Sequence, residues 1–190
     1  MLSGSGRTLL NLLDAIRGGR LNATIDLVIA SRDTLGAQRA REAGLQTIVL
    51  PGTIPATKLQ QVLNQNRIDW VILAGYLKLI DIPAAYQNRI VNIHPALLPD
   101  FGGPGMYGHH VHEAVLKAGA KRSGCTVHLV TPEYDRGPII LQKSCEVVPG
   151  DTPDTLAARV FELECRAYPE ALERLFAAGV SPSVPREPRR

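Results

Sequence analysis

The apolar positions along this chain alternate between two periods. Over residues 8–17, Leu9, Leu10, Leu12, Leu13 and Ile16 recur at helical spacing. They predict an amphipathic helix ended by Gly18 and Gly19. Residues 25–30, IDLVIA, then read as a strand rich in branched side chains. A helix is expected over 36–43, stopped by Gly44, and a short strand over 47–50, closed by Pro51-Gly52. Residues 58–66 read as helix. Residues 70–74, WVILA, show no polar alternation, as expected of a strand covered on both faces. A short helical piece at 83–86, a buried strand at 89–93 and a helix at 109–117 follow. Two later strands, 126–130 and 139–147, flank a turn containing Asp135, Arg136 and Gly137. A long helix closes the pattern at about 155–177. Strands alternating with helices predict an α/β fold with a mostly parallel sheet and helices on both faces.

Length and composition narrow the class. A chain of 190 residues, 45% hydrophobic and 21% charged, is of ordinary globular make-up and suits one domain. A domain over 1–179 is expected, with a disordered basic tail over 180–190 that includes SPSVPREPRR. The net charge of +3 is too small to imply nucleic-acid binding. The apolar runs fall far short of the ~20 residues of a membrane span. Three cysteines, an odd number, argue against a secreted disulfide framework. A cytoplasmic protein is expected, as monomer or homodimer, without nucleic-acid or membrane partners.

Three segments carry candidate chemistry. Ser3-Gly4-Ser5-Gly6-Arg7-Thr8 lies directly before a helix, where glycines allow close approach and free N–H groups favour an anion. It reads as a phosphate loop or as a plain Gly-Ser cap. Such a loop normally follows a strand, and only Met1 and Leu2 precede it here. The first strand therefore reads as truncated, with the sheet left open beside it and the true start expected several residues earlier. The second segment, Asn92-Ile93-His94-Pro95, ends a buried strand, and alternation puts Asn92 and His94 on one side. A carboxamide donor can hold an oxyanion and an imidazole can move a proton. The third segment is Thr131-Pro132-Glu133-Tyr134-Asp135-Arg136-Gly137-Pro138. Asp135 reads as a turn residue or as a carboxylate that raises the pKa of His94 and keeps it protonated.

Other residues have plainer readings. His109, His110 and His112 suggest a metal, but only Glu113 joins them at ligand spacing, and no metal site is expected. GGPGMYGHH is expected to be a loop at the rim of the site. His128 reads as packed or hydrogen-bonded rather than catalytic. Cys125, Cys145 and Cys165 read as structural, and Trp70 as core.

Taken in order, GSGRT before a helix, LAGYLKLI, NIHPALLP, GCTVHLVTPEYDRGPIILQ and Glu164 ahead of Tyr168-Pro169 resemble the phosphoribosylglycinamide formyltransferase family. The resemblance runs from Leu2 to about Phe176 and implies a formyltransferase-type, Rossmann-like fold. It implies Asn92, His94 and Asp135 as catalytic. Gly6, Arg7, Thr8 and Glu164 would meet a ribose-phosphate substrate. Leu77, Lys78, Leu79, Ile80, Asn92 and the run Thr131, Pro132, Glu133, Tyr134 and Asp135 would line a folate site. The co-substrate would be 10-formyltetrahydrofolate, with no tightly bound cofactor. The implied reaction passes its formyl group to the amine of glycinamide ribonucleotide. Arg7-Thr8 departs from the family's usual Ser or Thr followed by Asn. The alternatives are a formyltetrahydrofolate deformylase and a truncated folate- or nucleotide-binding protein without turnover.

Overall fold

The computed structural model describes residues 1–178. The expected tail over 180–190 lies outside the described residues. The elements run α1 (Arg7–Arg17), β1 (Val28–Ala30), α2 (Leu35–Glu42), β2 (Thr47–Val49), α3 (Ala56–Gln65), β3 (Val71–Leu73), a 3₁₀ turn at Ala84–Tyr86, β4 (Ile90–His94), α4 (His109–Lys117), β5 (Arg122–Leu129), β6 (Ile139–Glu146) and α5 (Pro153–Ala177).

β1 and β2 pair in parallel, as do β3 and β4, while β5 and β6 add antiparallel strands. Between β1 and β3 lies only the stub Met1–Ser3. Leu2 donates to the Ile29 carbonyl and accepts from Ser31, each at 3.0 Å. On its other side Ala74 donates to the Met1 carbonyl at 2.8 Å, and Ser3 donates to Gly75 at 3.0 Å. The hydrogen-bonded strands form two sheets, β1-β2 and β3-β4-β5-β6. An apolar cavity of about 520 Å³ opens behind Met1.

Alternation along β4 separates the two faces. Val91 and Ile93 pack with Leu12 of α1, Val115 of α4 and Leu156, Val160 and Leu172 of α5. Ile90 points the other way, with Val71, Leu73 and Leu59, Val62 and Leu63 of α3. Helices thus cover both faces. α5 begins at Thr152, whose hydroxyl accepts from Thr155 in a capping box with Pro153 next in line. Its Tyr168 is fully buried and reaches the Leu73 and Val91 carbonyls at 3.0 Å each.

One strand is shorter than its composition predicts. Only Val28–Ala30 of residues 25–30 pair. β2 begins opposite Val28 and the stub reaches only Ala30. Ile25, Asp26 and Leu27 instead line the cavity. β5, by contrast, starts four residues early because β6 continues beside it to Glu146.

Candidate active site

The site gathers at the C-terminal end of β4, where open α/β sheets bind ligands. Asn92 stands opposite His128 of β5, and His94 opposite Thr126. These pairs face away from the α1–α4–α5 side, on which Cys125 and Val127 pack. Thr126 is buried and donates to the Ala96 carbonyl at 2.7 Å while accepting from Leu98 at 3.0 Å. It ties the turn after His94 to the neighbouring strand. Gln142 of β6 adds bonds of 2.9 Å to the Leu98 carbonyl and to the Thr126 hydroxyl.

Asp135 arrives from the β5–β6 connection. Its φ of 55° is left-handed, and the following Gly137 is obligatory: a Cβ there would stand 1.7 Å from the Leu129 carbonyl oxygen. The carboxylate meets three groups. Its Oδ2 accepts from the Gly103 N–H at 2.9 Å and lies 3.5 Å from His94 Nδ1; its Oδ1 lies 3.6 Å from His128 Nε2. Gly102 permits this approach, since a Cβ there would come 2.5 Å from a Leu98 methyl and 3.1 Å from the Asp135 Cβ. The GGPGMYGHH loop therefore does more than form a rim, because it supplies a donor to the carboxylate.

His94 is 3% exposed. Its Nε2 donates to the Phe101 carbonyl at 2.8 Å, so both ring nitrogens face acceptors. Only the imidazolium would satisfy both. Burial nevertheless pushes its pKa down, and this outweighs the upward pull of Asp135 and of the Phe101 carbonyl; His128 adds to the downward side. The sequence-based expectation that Asp135 holds His94 protonated is corrected here: desolvation wins, and the free protein carries a neutral ring. Burial also pushes the Asp135 carboxyl up, but the His128 bond, the His94 charge and the Gly103 N–H together set it below the usual carboxylate value.

His128 joins the constellation. With Nδ1 donating to the Leu129 carbonyl at 2.9 Å, its Nε2 faces Asn92 Nδ2 at 3.2 Å as well as Asp135. Only one amide hydrogen of Asn92 is engaged by this contact, and the other can serve a ligand oxygen. Sequence reading gave His128 as packed or hydrogen-bonded rather than catalytic. It missed the partners because they lie in another strand, and only the β4–β5 register brings them opposite.

The glycine loop is built by close backbone packing. Gly6 caps α1 with φ 77°, and a Cβ there would lie 2.7 Å from Gly36 Cα. A Cβ on Gly36 would meet the Gly4 carbonyl at 2.6 Å. Arg39 of α2 donates to the Ser5 carbonyl at 2.9 Å. Arg7 turns toward α5, its guanidinium 3.7 Å from the centre of the Phe161 ring. It also faces Glu164. Burial pushes that carboxyl up to about 7 although the Arg7 charge pulls it down.

The remaining expected residues separate. Leu77 and Leu79 are exposed apolar side chains, and Lys78 is exposed between them. Ile80 is instead buried in the core with Ile54, Tyr76 and Tyr86. Thr131 closes its loop by donating to the Glu133 carbonyl at 3.2 Å, while Pro132, Glu133 and Tyr134 stand exposed. The histidine cluster is drawn apart. His109 pairs with Asp154 at 3.2 Å and His110 with Glu113 at 3.6 Å, while His112 is buried. No group of three or more metal-ligating side chains forms among the described residues. None of their helices is long and apolar enough to cross a membrane.

A formyl transferase family model matches residues 1–172. The chain belongs to the formyl transferase family. Phosphoribosylglycinamide formyltransferase of Escherichia coli is 34% identical over 178 residues, covering 89% of this chain and 82% of that protein. The chloroplastic phosphoribosylglycinamide formyltransferase of Arabidopsis thaliana is 40% identical over 181 residues, 90% of this chain. The chain spans 62% of that plant relative's length. Among solved structures, glycinamide ribonucleotide transformylase 1 from Symbiobacterium toebii superposes with a TM-score of 0.84 at 41% identity. That match covers 94% of this chain and 85% of that one. The α/β fold read from the sequence is thus that of the formyl transferase family.

Proposed function

We propose that this formyl transferase moves the formyl group of 10-formyltetrahydrofolate to the amine of glycinamide ribonucleotide, as the names of its relatives suggest. The observation that carries the reading is the cluster of Asn92, His94, Asp135 and His128 at the end of β4, with Asn92–His128 at 3.2 Å, His94–Asp135 at 3.5 Å and His128–Asp135 at 3.6 Å.

The amine attacks the formyl carbon, and the carbonyl oxygen gains negative charge. Asn92, held by His128 at one amide hydrogen, directs the other at that oxygen. The attacking nitrogen becomes cationic and must lose a proton. His94 starts neutral with Nε2 committed to Phe101, so Nδ1 beside Asp135 is its basic atom. The oxyanion adds to the pull of Asp135 and draws the amine's proton onto His94. His94 then passes that proton to the folate nitrogen as the carbon–nitrogen bond breaks.

The folate rests on Leu77, Lys78 and Leu79 and on the loop Thr131 to Tyr134, whose exposed side chains suit a flat ring system. Ile80 supports that wall from behind. Gly6, Arg7 and Thr8 meet the ribose phosphate at the α1 N-terminus, where backbone donors and the helix dipole favour an anion. Glu164 accepts from the glycinamide part. No metal or tightly held cofactor enters these steps, and both reactants are small molecules.

The test is the rate of folate product formation with and without glycinamide ribonucleotide. The reading expects product only with the nucleotide, accompanied by formylated nucleotide in equal amount. Equal rates without it would indicate hydrolysis, as in a deformylase. Folate binding with no product in either case would leave only a binding protein.

A further inference from the structure

Arg7 is the first residue of α1, and its side chain leaves that helix toward α5. Gly6 caps α1 without a side-chain bond, and no acidic residue stands in the first turn. The first helical bond runs from Leu10 to the Gly6 carbonyl at 3.0 Å, so the N–H groups of Arg7, Thr8 and Leu9 have no acceptor within the helix. The Arg7 side chain is exposed but not loose. Its guanidinium carbon lies 3.7 Å from the centre of the half-buried Phe161 ring of α5. Phe161 and Glu164 stand three residues apart on α5 and share one helix face, which brings both to Arg7.

A guanidinium this close lies flat on the ring, and its five N–H donors then point outward from its rim. An arginine held by a carboxylate would instead commit those donors and offset its charge. Among the described residues Arg7 makes no hydrogen bond and no ion pair. Glu164, the carboxyl that faces it, is held up to about 7 by burial. The ring thus orders a long side chain while leaving its charge and donors open beside the bare N–H groups of α1. An oriented cation next to a helix N-terminus suits an anion with several acceptor oxygens and more than one charge, as in a phosphate monoester.

We propose that Phe161 is a positioning residue for phosphate recognition: its ring holds the Arg7 guanidinium beside the α1 N-terminus, so that the pair distinguishes a phosphorylated riboside from its unphosphorylated counterpart. This role rests on the assignment of that N-terminus to the ribose phosphate. The phosphate takes the free edge of the guanidinium without displacing a carboxylate. Phe161 touches no reacting atom and acts only through Arg7. Removing the ring lets the cation swing into water and weakens the phosphate contact, while the folate wall at Leu77 to Leu79 and the pair Asn92 and His94 stay as they are. One face of α5 therefore serves both ends of the nucleotide, Phe161 through Arg7 at the phosphate and Glu164 at the glycinamide part.

The test measures KM for glycinamide ribonucleotide and for the unphosphorylated glycinamide riboside, with inorganic phosphate as a competitor of the nucleotide. Phe161→Leu keeps an apolar contact and removes the aromatic face. It is expected to raise the nucleotide KM and the phosphate inhibition constant roughly threefold to fivefold, with kcat, the folate KM and the riboside KM nearly unchanged. Phe161→Tyr keeps the ring and should retain wild-type values. Arg7→Ala should raise the same two constants ~10-fold or more, and adding Phe161→Leu to it should change nothing further. Additive effects of the two substitutions would overturn the proposal. So would a Phe161→Leu protein with an unchanged nucleotide KM, or one that loses the nucleotide and the riboside equally. A wild-type protein without turnover would refute formyl transfer instead; Kd values for the nucleotide and for phosphate from calorimetry then replace the kinetic constants, with the same fold-changes expected.

Discussion

His94 and Asp135 approach to 3.5 Å, and the pair tests how burial and charge divide control of a proton. Burial sets the His94 pKa below its ordinary 6.5, while Asp135 opposes that shift. Activity that needs the neutral ring therefore rises with pH along a limb below 6.5. Asp135→Asn removes the opposing charge, so the limb should move further toward acid. The plateau should drop as well, because a weaker base takes the amine's proton less readily. Paired pH–rate profiles check both features; an unmoved limb with full activity would reduce Asp135 to a turn residue. His94→Asn removes the base altogether and should lower kcat by ~10²-fold or more with KM values nearly kept. Glu164 has the opposite sign. Its folded pKa of about 7 exceeds its ordinary 4.5, so folding retains a proton there. That contribution is complete below about 4.5 and is lost as pH rises through 7. Glu164→Gln stays neutral throughout. The unfolding free energy from urea should nearly match wild type at pH 4.5 and exceed it by about 3 kcal/mol at pH 8. A difference that does not change with pH would remove burial as the cause.

At the scale of elements, the glycine loop depends on α2 rather than on its own residues alone. Gly36, the second residue of α2, donates to the Gly4 carbonyl at 3.0 Å, with no room for a methyl group. Gly36→Ala should push the loop outward and raise KM for the nucleotide roughly tenfold, leaving the folate KM nearly unchanged. Equal losses for both substrates would mean that the variant is misfolded. Gly36 carried no signal in the sequence, because its partner Gly4 is 32 residues away in the chain and the contact is backbone to backbone. The helices were legible because each carries its own apolar stripe and stop residues, as at Leu9 to Gly18. Strand extent was less so. Residues 25–27 have strand composition but no partner, and pairing is decided by the neighbour. The pair Asn92 and His94 was legible from alternation, and Asp135 from its turn. His128 needed the β4–β5 register, and the lowered pKa of His94 needed its burial, which no local spacing encodes.

At the scale of the whole molecule, α5 is the element that joins the parts. Asn11 of α1 donates to its Cys165 carbonyl at 3.1 Å, and Lys143 of β6 pairs with its Glu170 at 2.6 Å. Tyr168 reaches deepest, its hydroxyl shared between the Leu73 carbonyl of β3 and the Val91 carbonyl of β4. Burial holds this phenol well above its ordinary pKa, so it remains a donor across the working pH range. Residues 74 and 92 follow those carbonyls directly, so the hydroxyl fixes the strand ends from which the site is built. Tyr168→Phe keeps the ring and its packing but deletes one shared hydrogen. Both carbonyls lie within the β3–β4 ladder and retain partners there, so the cost should be about 1 kcal/mol rather than that of an orphaned buried group. The urea midpoint should fall accordingly, with the slope of the transition unchanged. Turnover should fall less than fivefold, because Asn92 and His94 keep their own bonds to His128 and Phe101. A loss of several kcal/mol would mean that the ladder opens when the hydroxyl goes. A large loss of kcat at normal stability would mean that the strand ends shift, and would make Tyr168 a positioning residue for Asn92.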